Sequence, residues 1–220
     1  MTNLIFDYDG TIHESLCIYA PAFRLSYEYL VDRKLAAPRE WTDREISRWL
    51  GISAKEMWSR FMPDLAEIEK EHCSKLIGEE MVRLTQAGRS ILYPGALTTL
   101  MELKNVGYHL IFLSNCKHSY MKAHQEYWGL EQYFSGFYCT EDYGFAPKWQ
   151  IFDEIKSKYS GDFIVIGDRY QDIEIGIKHN LSSIGCAYGY GGLEELEYAS
   201  SKIDSFQKVA GALDSLVKDK

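Results

Sequence analysis

The sequence predicts an α/β fold, a doubly wound parallel sheet that is interrupted by an inserted all-helical cap domain. Short apolar segments, of the kind buried on both faces of a sheet, alternate with helical segments along most of the chain. One long stretch near the N-terminus shows helical patterns only. The predicted strands are residues 4–6, 109–113, 136–139, 163–166 and 183–187.

Proline, glycine and asparagine mark the predicted helix ends in the second half of the chain. Pro94 precedes a helix that is expected to end at Gly107, the usual placement of these two residue types. A helix over 171–179 is expected to end at Asn180 in the left-handed conformation. Residues 193–199 are predicted to form a further helix.

The all-helical stretch sets the predicted domain organisation. Residues 15–88 contain several helical segments and no clear strand, so they are predicted to form a helical cap domain. The α/β core is then formed by residues 1–14 and 89–220. Hinges are expected near 12–15 and 88–93, where the chain leaves and re-enters the core.

Composition and charge limit the classes of function. The 220 residues are 46% hydrophobic and 25% charged, with a formal net charge of −8. That mixture is typical of a globular protein, and its acidic excess argues against a general nucleic-acid or membrane-surface binder. We find no stretch long enough to span a membrane and no secretory signal pattern, and the five cysteines are scattered, so a cytoplasmic location is expected.

Polar residues follow several of the predicted strands. Asp7 and Asp9 come directly after the first strand, Ser114 follows the second, and Asp168 and Asp172 follow the fourth. Because the carboxyl ends of parallel strands meet at one edge of a sheet, these side chains are expected to surround one crevice. Carboxylates gathered there would repel one another, whereas one Mg²⁺ and a phosphate dianion would make the set favourable.

In this arrangement the sequence resembles the haloacid dehalogenase-like hydrolase superfamily, and within it the phosphoglycolate-phosphatase-like branch. The glycine-rich segment 187–191 resembles the last loop of that branch, and residues 15–88 stand where it carries a helical cap. The resemblance covers nearly the whole chain and implies a Rossmann-like core. Its motifs are Asp7-x-Asp9-Gly10-Thr11, Ser114-Asn115 and Gly167-Asp168-x-x-x-Asp172.

The resemblance implies a phosphatase that acts on a small phosphorylated metabolite with Mg²⁺ as cofactor. Asp7 would be the nucleophile that accepts the phosphoryl group, and Asp9 would be the acid for the leaving group and then the base for water. Mg²⁺ would be held by Asp7, Asp168 and the backbone carbonyl of Asp9, with Asp172 supporting the metal site. Ser114 would hydrogen-bond a phosphoryl oxygen.

A lysine and three further residues complete the predicted site. The branch usually has Lys-Pro at the start of a helix, whereas this chain has the inverted order Pro147-Lys148. Lys148 is assigned the family's lysine role, in which a cation reduces the repulsion between the nucleophile and the phosphate. Thr11 and Asn115 are predicted to bind substrate, and Arg48 in the cap is a candidate to bind a substrate carboxylate or second phosphate.

Two alternative functions stay open at this point. An acid at Asp9 would serve a β-phosphoglucomutase-like sugar-phosphate mutase as well as a phosphatase, and dependence on a bisphosphate activator would identify the mutase. A phosphate-responsive binding or regulatory module could also carry clustered carboxylates, and turnover of a generic phosphate ester would exclude it. The protein is expected to be a monomer or homodimer without nucleic-acid or membrane partners.

Overall fold

A six-stranded parallel sheet forms the centre of the protein. The computed structural model describes residues 2–218, so Met1 and residues 219–220 of the predicted core lie outside it. The strand order is β3-β2-β1-β4-β5-β6, which places β1 in the middle and confirms the predicted doubly wound sheet. The strands are β1 (Thr2–Phe6), β2 (His109–Ser114), β3 (Phe134–Cys139), β4 (Asp162–Gly167), β5 (Ser182–Cys186) and β6 (Ser201–Ile203).

Both faces of the sheet are covered by helices. Side chains alternate between the two faces along each strand, so the apolar strands present side chains to be buried on both sides. In β1, Leu4 and Phe6 belong to one apolar cluster and Ile5 to another. The first cluster includes residues of α5, α6 and α9, and the second includes residues of α7 and α8. These helices are α5 (Ala96–Asn105), α6 (His118–Trp128), α7 (Lys148–Lys158), α8 (Tyr170–His179) and α9 (Val209–Lys218).

A group of four helices separates β1 from the rest of the sheet, and the structure has no strand between residues 15 and 88. An aromatic cluster lies among these helices, with the rings of Phe23, Trp41 and Phe61 centred 5.4–5.6 Å apart. Its helices are α1 (Leu16–Asp32), α2 (Asp43–Ile46), α3 (Ala54–Phe61) and α4 (Glu67–Gln86).

The two chain segments that join this helical group to the sheet lie side by side. The backbone N–H of Glu14 donates to the carbonyl of Ile91, and that of Tyr93 donates to the carbonyl of Ile12, both at 2.9 Å. These paired segments coincide with the predicted hinges near 12–15 and 88–93. The domain boundaries themselves remain a prediction.

Two sequence predictions outside the site need correction. Residues 193–198 form consecutive turns instead of a helix, because their backbone hydrogen bonds span three residues, as from Glu195 to Gly192. The short strand β6 was not predicted, since its three residues carry a single buried apolar side chain, Ile203. Asn180 does end α8 in the left-handed conformation, as expected. Within residues 2–218, every helix is too short or too polar to cross a lipid bilayer.

Candidate active site

The candidate active site lies at the carboxyl ends of the central strands. Asp7 directly follows β1, and its backbone N–H donates to Ile166 in the neighbouring strand β4 at 2.9 Å. Asp168 directly follows β4, and Ser114 is the last residue of β2. Parallel pairing of β1 with both neighbours therefore brings these residues to the same edge of the sheet.

Three carboxylates form a compact buried cluster at this edge. Asp7, Asp168 and Asp172 each offer an oxygen within 4.8 Å of the others, and each side chain is at most 5% exposed. Asp172 reaches the cluster from the first turn of α8, where its carboxylate also accepts a hydrogen bond from the backbone N–H of Arg169 at 3.1 Å. The fold therefore brings these three carboxylates together at the edge of the sheet where the sequence predicts them.

Lys148 lies between two of these carboxylates. Its Nζ is 2.5 Å from Asp7 Oδ1 and 2.6 Å from Asp172 Oδ1, and the residue is 3% exposed. Burial disfavours the charged ammonium, yet the two aspartates outweigh burial and raise the pKa of Lys148. Because Pro147 directly precedes the helix, Lys148 becomes the first residue of α7, and the inverted order still brings the amine to Asp7.

One lysine does not neutralise the cluster. Burial raises the pKa of Asp7 well above its usual range, and repulsion from Asp172 adds to this effect while Lys148 opposes it. Burial and the same repulsion raise the pKa of Asp168 to about 7. Three buried carboxylates facing one ammonium are therefore a favourable environment for a further cation.

The surroundings of Asp168 fit a small hard cation. Asp168 Oδ2 accepts a hydrogen bond from the backbone N–H of Tyr190 at 2.7 Å. Glycines approach it so closely that a Cβ at Gly10 would lie 2.3 Å from Asp168 Oδ2, and one at Gly189 would lie 2.3 Å from its Cβ. The donors in this space are carboxylate oxygens, which Mg²⁺ prefers. The residues present therefore suit the ion that the sequence predicts.

Asp9 has a different environment from the other carboxylates. Its Oδ1 lies 2.5 Å from Ser15 Oγ, 2.6 Å from the hydroxyl of Tyr120 and 3.1 Å from His13 Nδ1. Burial alone would raise the pKa of Asp9, but the hydrogen bonds from His13 and these two hydroxyls outweigh burial and lower it. Asp9 is therefore held as a carboxylate, the form that can accept a proton from water.

His13 ties Asp9 to the connection that returns from the helical group. The residue is fully buried, its Nε2 lies 3.0 Å from Ser90 Oγ, and its ring stacks on Tyr8 with centroids 5.1 Å apart. The sequence analysis did not predict that His13, Ser15 and Tyr120 contact Asp9. The only sequence signal for these residues was their short distance from strand ends, which is common among residues without function.

Comparisons with known proteins identify the family of this chain. A family model described as haloacid dehalogenase-like hydrolase matches residues 1–180. The chain belongs to this family. A phosphoglycolate phosphatase of Psychrobacter arcticus is 22% identical, covering 98% of this chain and 95% of that protein. One of Aliivibrio fischeri is 25% identical, covering 85% and 84%.

Solved structures agree on the fold. A structure described as a predicted phosphatase from Clostridium acetobutylicum has a TM-score of 0.82 at 21% identity, covering 100% of this chain and 99% of that one. One described as a predicted phosphoglycolate phosphatase from Haemophilus somnus has a TM-score of 0.81 at 19% identity, covering 96% and 97%. Together with the family match and the curated relatives, these similarities identify the protein as a phosphatase-type member of the haloacid dehalogenase-like hydrolases.

The remaining predicted site residues of this haloacid dehalogenase-like protein differ in how close they lie to the carboxylate cluster. Thr11 Oγ1 lies 3.4 Å from Asp7 and is fully buried, so it adjoins the carboxylate cluster. The Ser114 hydroxyl is buried and has no hydrogen bond within the described residues beyond a weak contact with the Cys116 thiol. That leaves it free to bind an oxygen atom of a ligand.

The last two predicted substrate-binding residues, Asn115 and Arg48, differ in their contacts. Asn115 Nδ2 donates to the carbonyl of Gly51 in the helical group at 3.3 Å, so it joins the two parts of the protein. Arg169, which was not predicted, makes a second such link by donating to the carbonyl of Leu50. Arg48 is exposed and does not line the cavity beside Asp9, although the residues that follow it do.

Loss of the Ser15 hydroxyl should selectively impair esters with poor leaving groups. In Ser15→Ala, Asp9 loses a hydrogen-bond donor at 2.5 Å, and we expect kcat for ethyl phosphate to fall about tenfold. The effect on 4-nitrophenyl phosphate should be smaller, because its leaving group departs without a proton. Ser215→Ala, at an exposed serine of α9, is the control. Equal losses of kcat with both esters would contradict proton donation from Asp9 to the leaving group.

Proposed function

We propose that the protein is a magnesium-dependent phosphatase that hydrolyses a small phosphate monoester through a phospho-aspartyl intermediate on Asp7. The observation that carries the proposal is the placement of Lys148 between Asp7 and Asp172 in a buried carboxylate cluster at the end of β1. Asp7, Asp168 and the backbone carbonyl of Asp9 would hold the ion, and Asp172 would support it. Bound Mg²⁺ would reduce the repulsion between the nucleophile and the phosphate dianion.

The residues of the site suit two successive displacements at phosphorus. In the first, an oxygen of Asp7 attacks phosphorus, the bond from phosphorus to the ester oxygen breaks, and Asp9, which takes up a proton when the phosphate binds, gives that proton to the departing oxygen. In the second, water attacks phosphorus while Asp9 takes its proton, and the bond between phosphorus and Asp7 breaks. Lys148 and the free hydroxyl of Ser114 supply positive charge and a hydrogen bond to the phosphoryl oxygens.

An assay with generic esters tests the proposal. We expect hydrolysis of 4-nitrophenyl phosphate with Mg²⁺ and no hydrolysis with a chelator. Metals bind deprotonated ligands, and the pKa of Asp168 is raised to about 7, so the apparent affinity for Mg²⁺ should weaken as the pH falls through 7. Asp168→Ala should lower the rate sharply and shift the Mg²⁺ titration to higher concentration.

The matched control is Asp204→Ala, which removes an exposed carboxylate paired with Lys208. A Mg²⁺ titration that is unchanged in Asp168→Ala would contradict the metal assignment. Absence of turnover with every ester would contradict the enzymatic function and favour the regulatory alternative. A requirement for a bisphosphate activator would favour the mutase. The cytoplasmic location and the monomeric or dimeric state remain predictions.

A further inference from the structure

A cavity lies between the helical group and the core, directly beside Asp9. Its volume is about 150 Å³. Asp9 and Tyr120 contribute to its wall from the core side, and helices α3 and α4 with the loop before α3 contribute from the other side. The apolar side chains that line it include Trp49, Ile52, Met57, Ile77 and Met81.

The position of Asp9 indicates which part of a substrate enters this cavity. In the proposed function, on which this inference rests, Asp9 gives a proton to the ester oxygen that leaves phosphorus. The carbon group attached to that oxygen therefore lies next to Asp9, which lines the cavity, whereas Asp7 does not line it. We conclude that the cavity holds the alcohol part of the substrate.

The lining of the cavity is unsuited to an acidic alcohol part. Lys117 is the only basic residue that lines it among the described residues, and most of the lining surface is apolar. Burying a carboxylate against apolar side chains is costly unless it is paired and hydrogen-bonded. Burying a second phosphate there, as in the bisphosphate of a sugar-phosphate mutase, would cost more free energy, because a phosphate carries more charge than a carboxylate.

The volume of the cavity indicates which size of group fills it. An apolar cavity of about 150 Å³ is large enough to hold a benzene molecule. We propose that the preferred substrates are phosphate monoesters of alcohols that carry an uncharged apolar group about as large as a benzene ring. Short acidic esters such as phosphoglycolate are then poor substrates, although relatives of this chain are named for that compound.

Gly78 provides a second observation on the α4 wall of the cavity. It lies within α4 and lines the cavity, and a Cβ added there would meet no atom within 4 Å. Glycine destabilises a helix interior relative to alanine, and here no close backbone contact requires it. The space beside Gly78 is therefore available to a ligand, and a larger side chain would fill it.

The test compares three esters in two variants. In the wild-type protein with Mg²⁺, kcat/KM should be about tenfold or more higher for benzyl phosphate than for either phosphoglycolate or ethyl phosphate. In Gly78→Leu, kcat/KM for benzyl phosphate should fall about tenfold, mainly through KM, because the leucine occupies the same space. The loss for ethyl phosphate should be much smaller, because its alcohol part fills less of the cavity, and an unchanged midpoint of thermal unfolding verifies folding. Gly78→Ala should show a smaller loss.

Gly211→Leu is the matched control, because Gly211 is an exposed glycine of α9 with no atom within 4 Å of an added Cβ. A wild-type preference for phosphoglycolate that Lys117→Met abolishes would overturn the proposal, as would equal losses for benzyl and ethyl phosphate in Gly78→Leu. Failure of the proposed function gives a different result, in which none of the three esters is hydrolysed.

Discussion

Asp7→Asn should reduce the turnover of every phosphate ester to background while leaving the fold intact. An amide is not a nucleophile toward phosphorus, and loss of a catalytic nucleophile typically lowers kcat by roughly 10⁴-fold or more. The amide oxygen can still accept a hydrogen bond from Lys148, which keeps its second partner Asp172. Steady-state hydrolysis of 4-nitrophenyl phosphate measures the loss.

The same substitution should not destabilise the metal-free protein. Burial and repulsion from Asp172 raise the pKa of Asp7, so its charge is unfavourable in the absence of a metal. A neutral side chain of the same shape removes that repulsion, and we expect an equal or higher midpoint of thermal unfolding. Asp204→Asn is the exposed control, with activity and midpoint both as in the wild-type protein.

A covalent intermediate can be sought directly. Wild-type protein quenched during turnover should carry one phosphoryl group on the peptide that contains Asp7, and hydroxylamine should remove it, as expected of an acyl phosphate. The Asp7→Asn protein should carry none. Substantial turnover in this variant, or a phosphoryl group on another residue, would contradict the assignment of the nucleophile.

The sequence was informative where chemistry depends on position along a strand. Asp7 and Asp168 each follow a buried apolar strand, and parallel pairing alone brings such residues together at one edge. The same reasoning could not predict the hydrogen bond from the Tyr120 hydroxyl to Asp9, because the two residues are 111 positions apart in the sequence. Contacts of that kind depend on the angle at which a helix packs, and a sequence pattern gives only the helix.

The turns at 193–198 illustrate a second limit of sequence reasoning. Their composition suits a helix, but Glu195 receives hydrogen bonds from Arg169 Nε at 2.9 Å and from the backbone N–H of Tyr170 at 3.1 Å. These tertiary contacts accompany a chain path that local propensity does not predict. Arg169 also donates to Leu50 in the helical group, so this irregular segment indirectly supports the wall of the cavity beside Asp9.

Lys148→Met should impair both stability and catalysis, with effects that depend on Mg²⁺. Removing one partner from a buried ion pair typically costs about 3–5 kcal/mol, and here three carboxylates would lose their ammonium. We expect a much lower unfolding midpoint without Mg²⁺ and partial recovery with it. Turnover with Mg²⁺ should fall by roughly 10²- to 10³-fold, because the nucleophile loses its positive neighbour.

The stability loss in Lys148→Met should also depend on pH. The pKa of Lys148 is higher in the folded protein than in the unfolded protein. The stabilisation linked to this pKa shift is therefore complete at pH values below the unfolded-state pKa, and it is lost only as the pH rises through the folded-state pKa. The amine of Lys148 therefore stays protonated at both pH 5 and pH 8. The carboxylates differ, because the pKa values of Asp7 and Asp168 are raised and protonation at low pH relieves their repulsion.

The difference in unfolding midpoint between wild-type and Lys148→Met protein should accordingly be larger at pH 8 than at pH 5. Lys156→Met on the same helix α7 is the control, since Lys156 is 57% exposed and its partner Asp153 lies on the surface. A deficit independent of both pH and Mg²⁺ would mean that Lys148 acts by packing alone. A pH-dependent deficit that Mg²⁺ relieves would instead tie stability and catalysis to the charge of one carboxylate cluster.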